Sequence, residues 1–378
     1  MKKLLSILLA LAMVMALLVG CGPSNSTPPT SGDDSNTDAN SGAPTVVSQE
    51  AVDEALAAAE SAGLPDASGD APQTIIFSGS SFQAMSEAEE LFKFMMEDLS
   101  GGSVKIEWHP YNELGDDLNV VTNVQFGEIG IGISSPAPLT TMLPNMSIFD
   151  TLYMINDQET AYEVMDGEIG QQIDKDVEAL GMKVIMWCEN GFRNLTCNVE
   201  VTGLDSLKGI KVRTMENSLQ MDAWKALGAN PTPADFSELY MSLEQGTLDA
   251  QENPYDLIVA NKLYEPQAYV IETNHLLHTL NMVGSKATYD ALPADIQQLV
   301  SECAAEAHQY ARQMADERIE GQKSTIQDAG LEIITLEPAM IQEMADVSAN
   351  VYDLVREQIG TDLVDSLLAQ VETASAAE

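Results

Sequence analysis

Residues 74–108 read TIIFSGSSFQAMSEAEELFKFMMEDLSGGSVKIEW, and this stretch decides the fold class. Thr74 to Phe77 is a short β-branched and aromatic run that predicts a strand. Apolar residues at helical spacing predict a helix from Gln83 to Leu99, which Gly101-Gly102 ends. Val104 to Trp108 alternates between apolar and polar residues, as a half-buried strand does. Strand, helix and strand within about 35 residues form a βαβ unit, so we expect an α/β fold with a parallel sheet.

Downstream, strand and helix patterns keep alternating in two blocks that meet near residue 190. Asp235 followed by Glu238 indicates a capping box at the start of one helix of the second block. The remaining predicted elements of the first block are 117–126 (helix), 130–134 (strand), 159–180 (helices) and 183–188 (strand). Those of the second are 210–213 (strand), 217–228 and 235–246 (helices) and 247–250 (strand), followed by a long helix at 291–328, a strand at 331–336 and C-terminal helices.

The first 21 residues are typical of a bacterial signal peptide. Lys2 and Lys3 precede an apolar run, Leu4 to Leu18, that is shorter than the about 20 residues a spanning helix needs. The run ends in Leu18-Val19-Gly20-Cys21, which resembles the lipobox of bacterial lipoproteins. In that class the cysteine is acylated and becomes the first residue of the mature chain. An ordinary signal peptide that happens to contain a cysteine is the alternative.

Residues 22–72 predict an acidic low-complexity tether between the lipid and a folded body. The segment is rich in Ser, Thr, Gly, Pro and Asp, and it contains no Lys or Arg. Within it, Ser48 begins an Ala- and Glu-rich run that stops before Gly63. A helix of this length, alone in a tether, would be marginal in water.

Composition excludes several classes of protein. Hydrophobic residues make up 45% of the 378 residues, enough for a packed core. The formal net charge of −42 repels phosphate backbones and anionic membrane surfaces, so we expect no nucleic-acid partner. Four cysteines are too few for a disulfide scaffold.

Three pairs of reactive side chains each allow two readings. His275 and His278 could share a helix face and bind a metal, or be polar residues near a domain crossing. Asp116-Asp117 could act as acid and base, or form a solvated turn. Cys188 and Cys197 could form a disulfide across a hairpin, or stay apart if the segment runs straight between domains. Zinc, phosphate-loop, dinucleotide and nucleophile-elbow motifs are absent from the sequence, so we expect neither a metal nor a cofactor.

Basic residues are scarce, and four of them cluster in the second block. Arg193, Lys208, Lys211 and Arg213 lie within about 20 residues of one another. They form either salt bridges with the plentiful acids or an anion site at the carboxyl ends of strands, where α/β proteins bind ligands. Arginine presents a planar fork that takes a carboxylate bidentately.

Short runs in this region carry a resemblance to a known family. They are Gly191-Phe192-Arg193, Leu207–Arg213, Ala226–Pro233, Glu238-Leu239-Tyr240, Leu243–Pro254 and Thr273-Asn274-His275, with weaker matches upstream at Asn112–Gly115 and Gln125-Phe126-Gly127. The chain from about residue 74 to 340 resembles the DctP-type solute-binding proteins of TRAP (tripartite ATP-independent periplasmic) transporters.

The resemblance implies a two-lobe, periplasmic-binding-protein-like clamshell with hinge strands and a long helix that spans both lobes. Lobe I is expected to comprise 73–190 and about 279–318, and lobe II 191–278 and about 319–378. A small organic acid would bind in the cleft between them and be delivered to a TRAP membrane permease. The chain would be a receptor, not an enzyme. It would be lipid-anchored on the outer face of the cell membrane, or on the periplasmic side in a Gram-negative cell.

The resemblance also implies roles for individual residues. Arg213 matches the principal carboxylate-binding arginine and Arg193 a second basic pocket residue. Asn253 matches the pocket asparagine, and Phe236 an apolar or aromatic wall. Ser81 and Ser135 lie where the first lobe contributes polar contacts.

Departures from the family pattern lie near the expected cleft, so they affect the identity of the ligand more than the fold. They are Thr214-Met215 after the arginine, Leu118-Asn119 after the two aspartates, and Cys197 in place of a small polar residue. Sugar acids, dicarboxylates, keto acids and aromatic acids all fit one arginine and a mixed wall.

Three other functions stay open at this point. A receptor of the same fold could serve an ATP-driven transporter or a sensor kinase. A surface enzyme would need a titratable pair that converges in the cleft. A structural lipoprotein would leave the arginine cluster unexplained.

Overall fold

The computed structural model describes residues 47–62, 73–79 and 83–375. The predicted signal peptide, its Cys21 and Ser81 lie outside these residues. Within the described part, the chain has the expected α/β fold, in which one mixed sheet is covered by helices on both faces. No helix among the described residues is long and apolar enough to cross a membrane.

The described residues form nine strands in a single sheet. The strands are β1 Gln73–Ser78, β2 Val104–His109, β3 Ile131–Ser134, β4 Met182–Cys197, β5 Val212–Thr214, β6 Thr232–Pro233, β7 Ala250–Asn253, β8 Tyr269–Ser285 and β9 Glu332–Thr335. Their order across the sheet is β2-β1-β3-β8-β4-β7-β5-β6, and β9 pairs with β8.

Thirteen α-helices connect and cover these strands in the part of the chain that is described. They are α1 Gln49–Ala62, α2 Gln83–Leu99, α3 Asp117–Phe126, α4 Gln158–Asp166, α5 Glu168–Ala179, α6 Ser218–Ala226, α7 Phe236–Glu244, α8 Tyr255–Ala260, α9 Lys286–Ala291, α10 Ala294–Asp328, α11 Pro338–Ser348, α12 Asn350–Ile359 and α13 Thr361–Ser375. Short 3-10 turns occur at Ala137–Thr141, Pro144–Phe149 and Leu204–Leu207.

Two long antiparallel strands join the two lobes of the clamshell. The C-terminal part of β8 pairs with β3, whereas its N-terminal part pairs with β9. The C-terminal part of β4 pairs with β7, while its N-terminal part continues along β8 in the first lobe. The β4–β8 register shifts between Glu189 and Phe192, where Gly191 has φ +75°. This bulge marks the crossing between the lobes.

The sheet is mixed, which corrects the expectation of a parallel one. β1 pairs in parallel with β2 and β3, as the βαβ pattern predicts. β8, however, is antiparallel to β3 and β4, and β4 is antiparallel to β7. The two crossing strands run in opposite directions between the lobes, so they place antiparallel pairs in the middle of the sheet.

Side-chain alternation along the strands creates two apolar cores, one on each face of the sheet. In β1, Ile75 and Phe77 point to one core, and Ile76 packs against the other. The core that Ile76 contacts is covered by α3 to α6 and the C-terminal helices, and the core of Ile75 and Phe77 is covered by α1, α2, α7, α8 and α10. The 35-residue helix α10 packs against α2, β4 and α8, so it spans both lobes as expected.

Helix α1 lies in the segment predicted as a tether, and it packs against the folded body. Val52, Ala55 and Ala59 are buried against α2 and α10. The backbone N–H of Val47 donates to Glu90 Oε2 at 2.7 Å. Burial of an apolar face supplies the stability that a short isolated helix lacks.

The capping box predicted at Asp235 is wrong in its chemistry. Asp235 is the N-cap residue of α7, but its side chain accepts no capping hydrogen bond. Only its backbone carbonyl is engaged, by the N–H of Glu238 at 3.2 Å. The carboxylate is exposed instead at the mouth of a cleft.

Candidate functional site

A cleft of about 610 Å³ lies between the lobes, at the ends of several strands. Ser134 ends β3 and Ser135 follows it, Met215 follows β5, and Asn253 ends β7. The N-terminus of α3 and that of α7 complete the wall. Ligands of open α/β sheets bind at such carboxyl ends, and the volume lies in the about 300–1,000 Å³ range of small-molecule sites.

Arg213 is a buried cation without a carboxylate partner. The residue is 4% exposed, on β5. Its Nε donates to the carbonyl of Ala234 at 2.9 Å, and its guanidinium carbon lies 5.9 Å from the ring centroid of Phe236. No salt bridge or further hydrogen bond engages Arg213 among the described residues. Burial lowers the pKa of Arg213 to about 10, so the group stays protonated at neutral pH.

Arg193 also lines the cleft, but its fork is already occupied. Its Nε lies 2.5 Å from Glu252 Oε2, and one terminal nitrogen lies 2.9 Å from Oε1. The same nitrogen also donates to the Glu252 carbonyl at 2.6 Å and to Asn253 Oδ1 at 2.9 Å. Both ionic partners are 1% exposed. The Arg193–Glu252 ion pair therefore links the crossing strand β4 with β7, and Glu252 neutralises the positive charge of Arg193.

Glu252 is an important residue that the sequence reasoning missed. Burial alone would raise its pKa, but Arg193 and the ring of His275, whose Nε2 is 3.0 Å away, hold it at about 2. Burial lowers the pKa of His275, so this histidine is a neutral partner. The sequence did offer a signal for this role. Glu252 lies in the Gln251-Glu252-Asn253 run, on a strand expected to be buried, and a buried carboxylate needs a charged or hydrogen-bonding partner.

Asn253 and Phe236 both reach the cleft. Asn253 accepts from Arg193 and donates its Nδ2 to Gln251 Oε1 at 2.5 Å, which leaves part of its amide for a ligand. Phe236 is half-buried at the first position of α7, and its ring stands beside the Arg213 guanidinium. A flat apolar wall next to a planar cation restricts how an acid can enter.

Ser135 lies on the other side of the cleft, paired with Asp117. The backbone N–H of Ser135 donates to Asp117 Oδ2 at 2.8 Å, and its hydroxyl donates to the same oxygen. The Ser135 hydroxyl is also 3.8 Å from the sulfur of Met215, two residues beyond Arg213. The two walls of the cleft therefore meet at this point.

The two aspartates at the start of α3 have different roles. Asp116 is the N-cap, and its oxygens accept from the Asn119 backbone and side chain, both at 2.9 Å. Asp117 follows it and faces the cleft, where burial raises its pKa against the lowering effect of the bonds from Ser135. Only one aspartate is needed to cap a helix, so a second one was the signal for another role. The pair is neither a simple solvated turn nor a convergent acid and base.

The histidine and cysteine pairs do not come together as metal ligands or as a disulfide, although His278 lines the cleft. His275 and His278 lie on strand β8, not on a helix, and an odd spacing puts them on opposite faces. No group of three or more His, Cys, Asp or Glu that could hold a metal occurs among the described residues. Cys188 and Cys197 lie at different points of the same strand and are free buried thiols, as is Cys303. The hairpin that a disulfide would need does not form.

The sequence matches the family model described as bacterial extracellular solute-binding protein, family 7, over residues 78–358. The 2,3-diketo-L-gulonate-binding periplasmic protein YiaO of Escherichia coli is 31% identical over 66% of this chain and 76% of its own length. A sugar acid binding protein of Advenella mimigardefordensis, solved with galactonate, has a TM-score of 0.77 at 27% identity, over 80% of this chain and 99% of its own. A TRAP periplasmic solute binding protein of Sulfurospirillum deleyianum, solved with succinate, has a TM-score of 0.74 at 26% identity, over 78% and 98%. The chain belongs to the DctP family of TRAP solute-binding proteins.

Proposed function

We propose that this protein is an extracytoplasmic receptor that captures a small organic acid in the interlobe cleft and delivers it to a TRAP membrane permease. The observation that carries the proposal is the state of Arg213: a buried, protonated guanidinium that lines the cleft and has no carboxylate partner among the described residues. Every other described arginine is paired with an acid in the same structure.

The physical basis is the low solvent access of the site. The Nε of Arg213 is held by the Ala234 carbonyl, so its terminal nitrogens are preoriented toward the cleft without being satisfied. A carboxylate that accepts two hydrogen bonds from them forms charge-assisted bonds worth roughly 1.5–3 kcal/mol each. Preorganisation keeps the entropy lost on binding small.

The relatives support an acid as the cargo. The Advenella protein was solved with galactonate and the Sulfurospirillum protein with succinate, and the name of YiaO gives 2,3-diketo-L-gulonate. All three carry a carboxylate, but they differ in the number of carboxylates and hydroxyls.

Lobe closure and membrane delivery complete the proposal. Lobe I would comprise 73–190 and about 279–318, and lobe II 191–278 and about 319–378, with hinges where β4 and β8 cross. A cleft between two lobes that share only these crossings suits hinge closure on a ligand. Acylation of Cys21 would keep the receptor at the outer face of the membrane, close to its permease.

No catalytic role is proposed for the cleft. The two aspartates at the start of α3 do not converge on one position, since Asp116 uses both oxygens on Asn119 and Asp117 is bonded to Ser135 through Oδ2. General acid and base catalysis needs two titratable groups that converge on one substrate position.

The test is a change that keeps the charge of Arg213 but removes its fork. In a calorimetric titration with the acid that gives the largest thermal shift in a screen, Arg213→Lys should weaken binding ten-fold or more. Lysine is a point charge and cannot reproduce the bidentate geometry. A saturating ligand adds about 2.7 kcal/mol at 100 times its dissociation constant, which makes the screen sensitive.

Arg356→Lys is the matched control. Arg356 lies on the surface of α12, where it bridges Asp353 and Asp365 away from the cleft. Its replacement should leave the dissociation constant unchanged. Equal affinities in the Arg213 variant and the unmodified protein would remove Arg213 from the binding site and overturn the proposal.

A further inference from the structure

Carboxylates outnumber cations among the residues that line the cleft. Of the two arginines in the lining, Arg193 is paired with Glu252 and Arg213 is not. Five carboxylates line the same cleft: Asp116, Asp117, Glu216, Asp235 and Glu238. Glu216, Asp235 and Glu238 lie on the same side as Arg213, and Asp116 and Asp117 lie across the cleft. With one available cation among five acids in this lining, the site is complementary to a ligand with a single negative end.

Among these acids, Asp117 has a carboxylate oxygen that is oriented and unused. Its Oδ2 takes both bonds from Ser135, which fixes the plane of the carboxylate. Its Oδ1 has no hydrogen-bond partner among the described residues. Asp116, by contrast, uses both of its oxygens on Asn119. Asp117 and Arg213 line the same cleft, where Arg213 partly offsets the rise that burial causes in the pKa of Asp117.

Besides the apolar Leu118, Ile133 and Pro138, the rest of the wall that contains Asp117 carries neutral hydrogen-bonding groups. Ser134, Ser135, Asn112, Asn119 and Thr141 line the cleft on the side of Asp117. Hydroxyls and amides both donate and accept, so they match a chain of alcohol groups. They offer no cation that could receive a second carboxylate.

We propose that Asp117 is the specificity-determining residue of this receptor and that its cargo is a hydroxylated monocarboxylate. The carboxylate of the cargo lies on Arg213, and a hydroxyl at the other end donates to Asp117 Oδ1. A dicarboxylate is rejected, because its second carboxylate would face Asp117 in a partly dry cleft, where like charges repel strongly. This inference rests on the proposed function.

The test compares acids that differ at one carbon. Galactonate and galactarate, gluconate and glucarate, and mannonate and mannarate are pairs with six carbons and the same inner hydroxyls. Only the terminal CH₂OH is exchanged for a carboxylate within a pair. Each acid, together with hexanoate and 6-aminohexanoate, is titrated into the purified protein by calorimetry. We expect the tightest hexonate to bind at least ten-fold more tightly than its dicarboxylate and than hexanoate.

Asp117→Asn should reduce or reverse this preference. The amide keeps the size of the side chain, loses the charge and can donate to a second carboxylate. The ratio of the two dissociation constants within the best pair should fall by at least ten-fold. Asp157→Asn is the matched control, because Asp157 also starts a helix and accepts a backbone N–H, from Thr160 at 2.7 Å, outside the cleft. In Asp157→Asn, the ratio of the two dissociation constants should not change.

The outcomes separate this inference from the proposed function. Suppose that acids bind and that Arg213→Lys weakens their binding, but that dicarboxylates or hexanoate bind as tightly as hexonates. The inference then fails and the receptor function stands. The inference also fails if 6-aminohexanoate binds most tightly, or if Asp117→Asn leaves the ratio unchanged. If no acid binds, both proposals fall. The ratio in the unmodified protein tests the inference even if the Asp117 variant does not fold.

Discussion

Asp150 is a buried carboxylate held by amide donors rather than by a cation. It accepts hydrogen bonds from the side chains of Asn217 and Gln220, the latter at 2.8 Å, and the residue is 2% exposed. Burial raises its pKa from 3.8 to about 7, although nearby Arg193 and the two amides act in the opposite direction. This carboxyl therefore binds its proton more tightly in the folded than in the unfolded state.

The sign of the resulting pH dependence follows from that difference. An acid with a raised pKa contributes stability below its unfolded pKa and loses that contribution as pH rises through its folded pKa. We expect a stabilising contribution from Asp150 that is present at pH 4 and lost toward pH 7. In Asp150→Asn, urea midpoints should no longer show this fall with pH.

Asp176→Asn provides the comparison for Asp150. Asp176 also accepts from an amide, Asn145 Nδ2 at 2.5 Å, but it is only half-buried. This variant keeps the Asp150 carboxyl, so it should keep the fall in the urea midpoint between pH 4 and pH 7. An unchanged profile in Asp150→Asn would show that the carboxyl is ionised throughout the range.

At the residue scale, the sequence indicates the basic cluster, and the family resemblance ranks Arg213 above Arg193, but neither gives the physical reason for the difference. Both residues are arginines in the same stretch of the chain, and their residue type and spacing do not distinguish them. The difference is that Glu252, about 60 positions along the chain from Arg193, pairs with Arg193 and not with Arg213. Such a pairing depends on the β4–β7 register, which no local pattern encodes. The sequence marks Asp117 as one of two adjacent aspartates but does not indicate a role in ligand selection, because the orientation of its carboxylate depends on Ser135.

At the scale of elements, helices were easier to predict than the crossing strands. The helices at 83–99 and 117–126 have the predicted bounds, because apolar spacing and flanking Gly residues are local signals. The 17-residue strand β8 was missed. Its Thr273-Asn274-His275 run looks like a polar loop, but these residues lie where the chain passes from one lobe to the other. Long-range pairing, not local propensity, makes this stretch a strand.

Gly191, at the bulge in β4, allows a direct test of the strain at the lobe crossing. Its φ of +75° is a left-handed conformation, while an added Cβ would meet no atom within 4 Å. Gly191→Ala should therefore lower the free energy of unfolding by roughly 1–2 kcal/mol through backbone strain alone. Urea denaturation monitored by circular dichroism measures this.

Gly203 is the matched control for the bulge. It also has open space around a built Cβ, but its φ of 171° is extended backbone that any residue adopts. Gly203→Ala should be neutral or slightly stabilising, because it restricts the unfolded chain. Equal destabilisation of both variants would mean that strain at the crossing is not the cause.

At the scale of the whole molecule, a strongly acidic body carries a site for an anion. The formal net charge is −42, whereas the site presents one uncommitted guanidinium among the described residues. At long range, the net negative charge of the protein therefore opposes the approach of an anionic ligand. At short range, the charge of Arg213 holds the ligand once it has entered the cleft. Affinity and association rate are governed by charges at different distances.

This separation predicts that salt accelerates binding. The Debye length falls from about 30 Å at 0.01 M to about 10 Å at 0.1 M, so added salt screens the repulsive body more than a contact within the cleft. The association rate constant of a bound acid, measured by stopped-flow tryptophan fluorescence, should rise several-fold over this range. A change between NaCl and KCl at equal ionic strength should have no effect. A rate that falls with salt would mean that cations near the cleft, and not the acidic body, dominate the encounter.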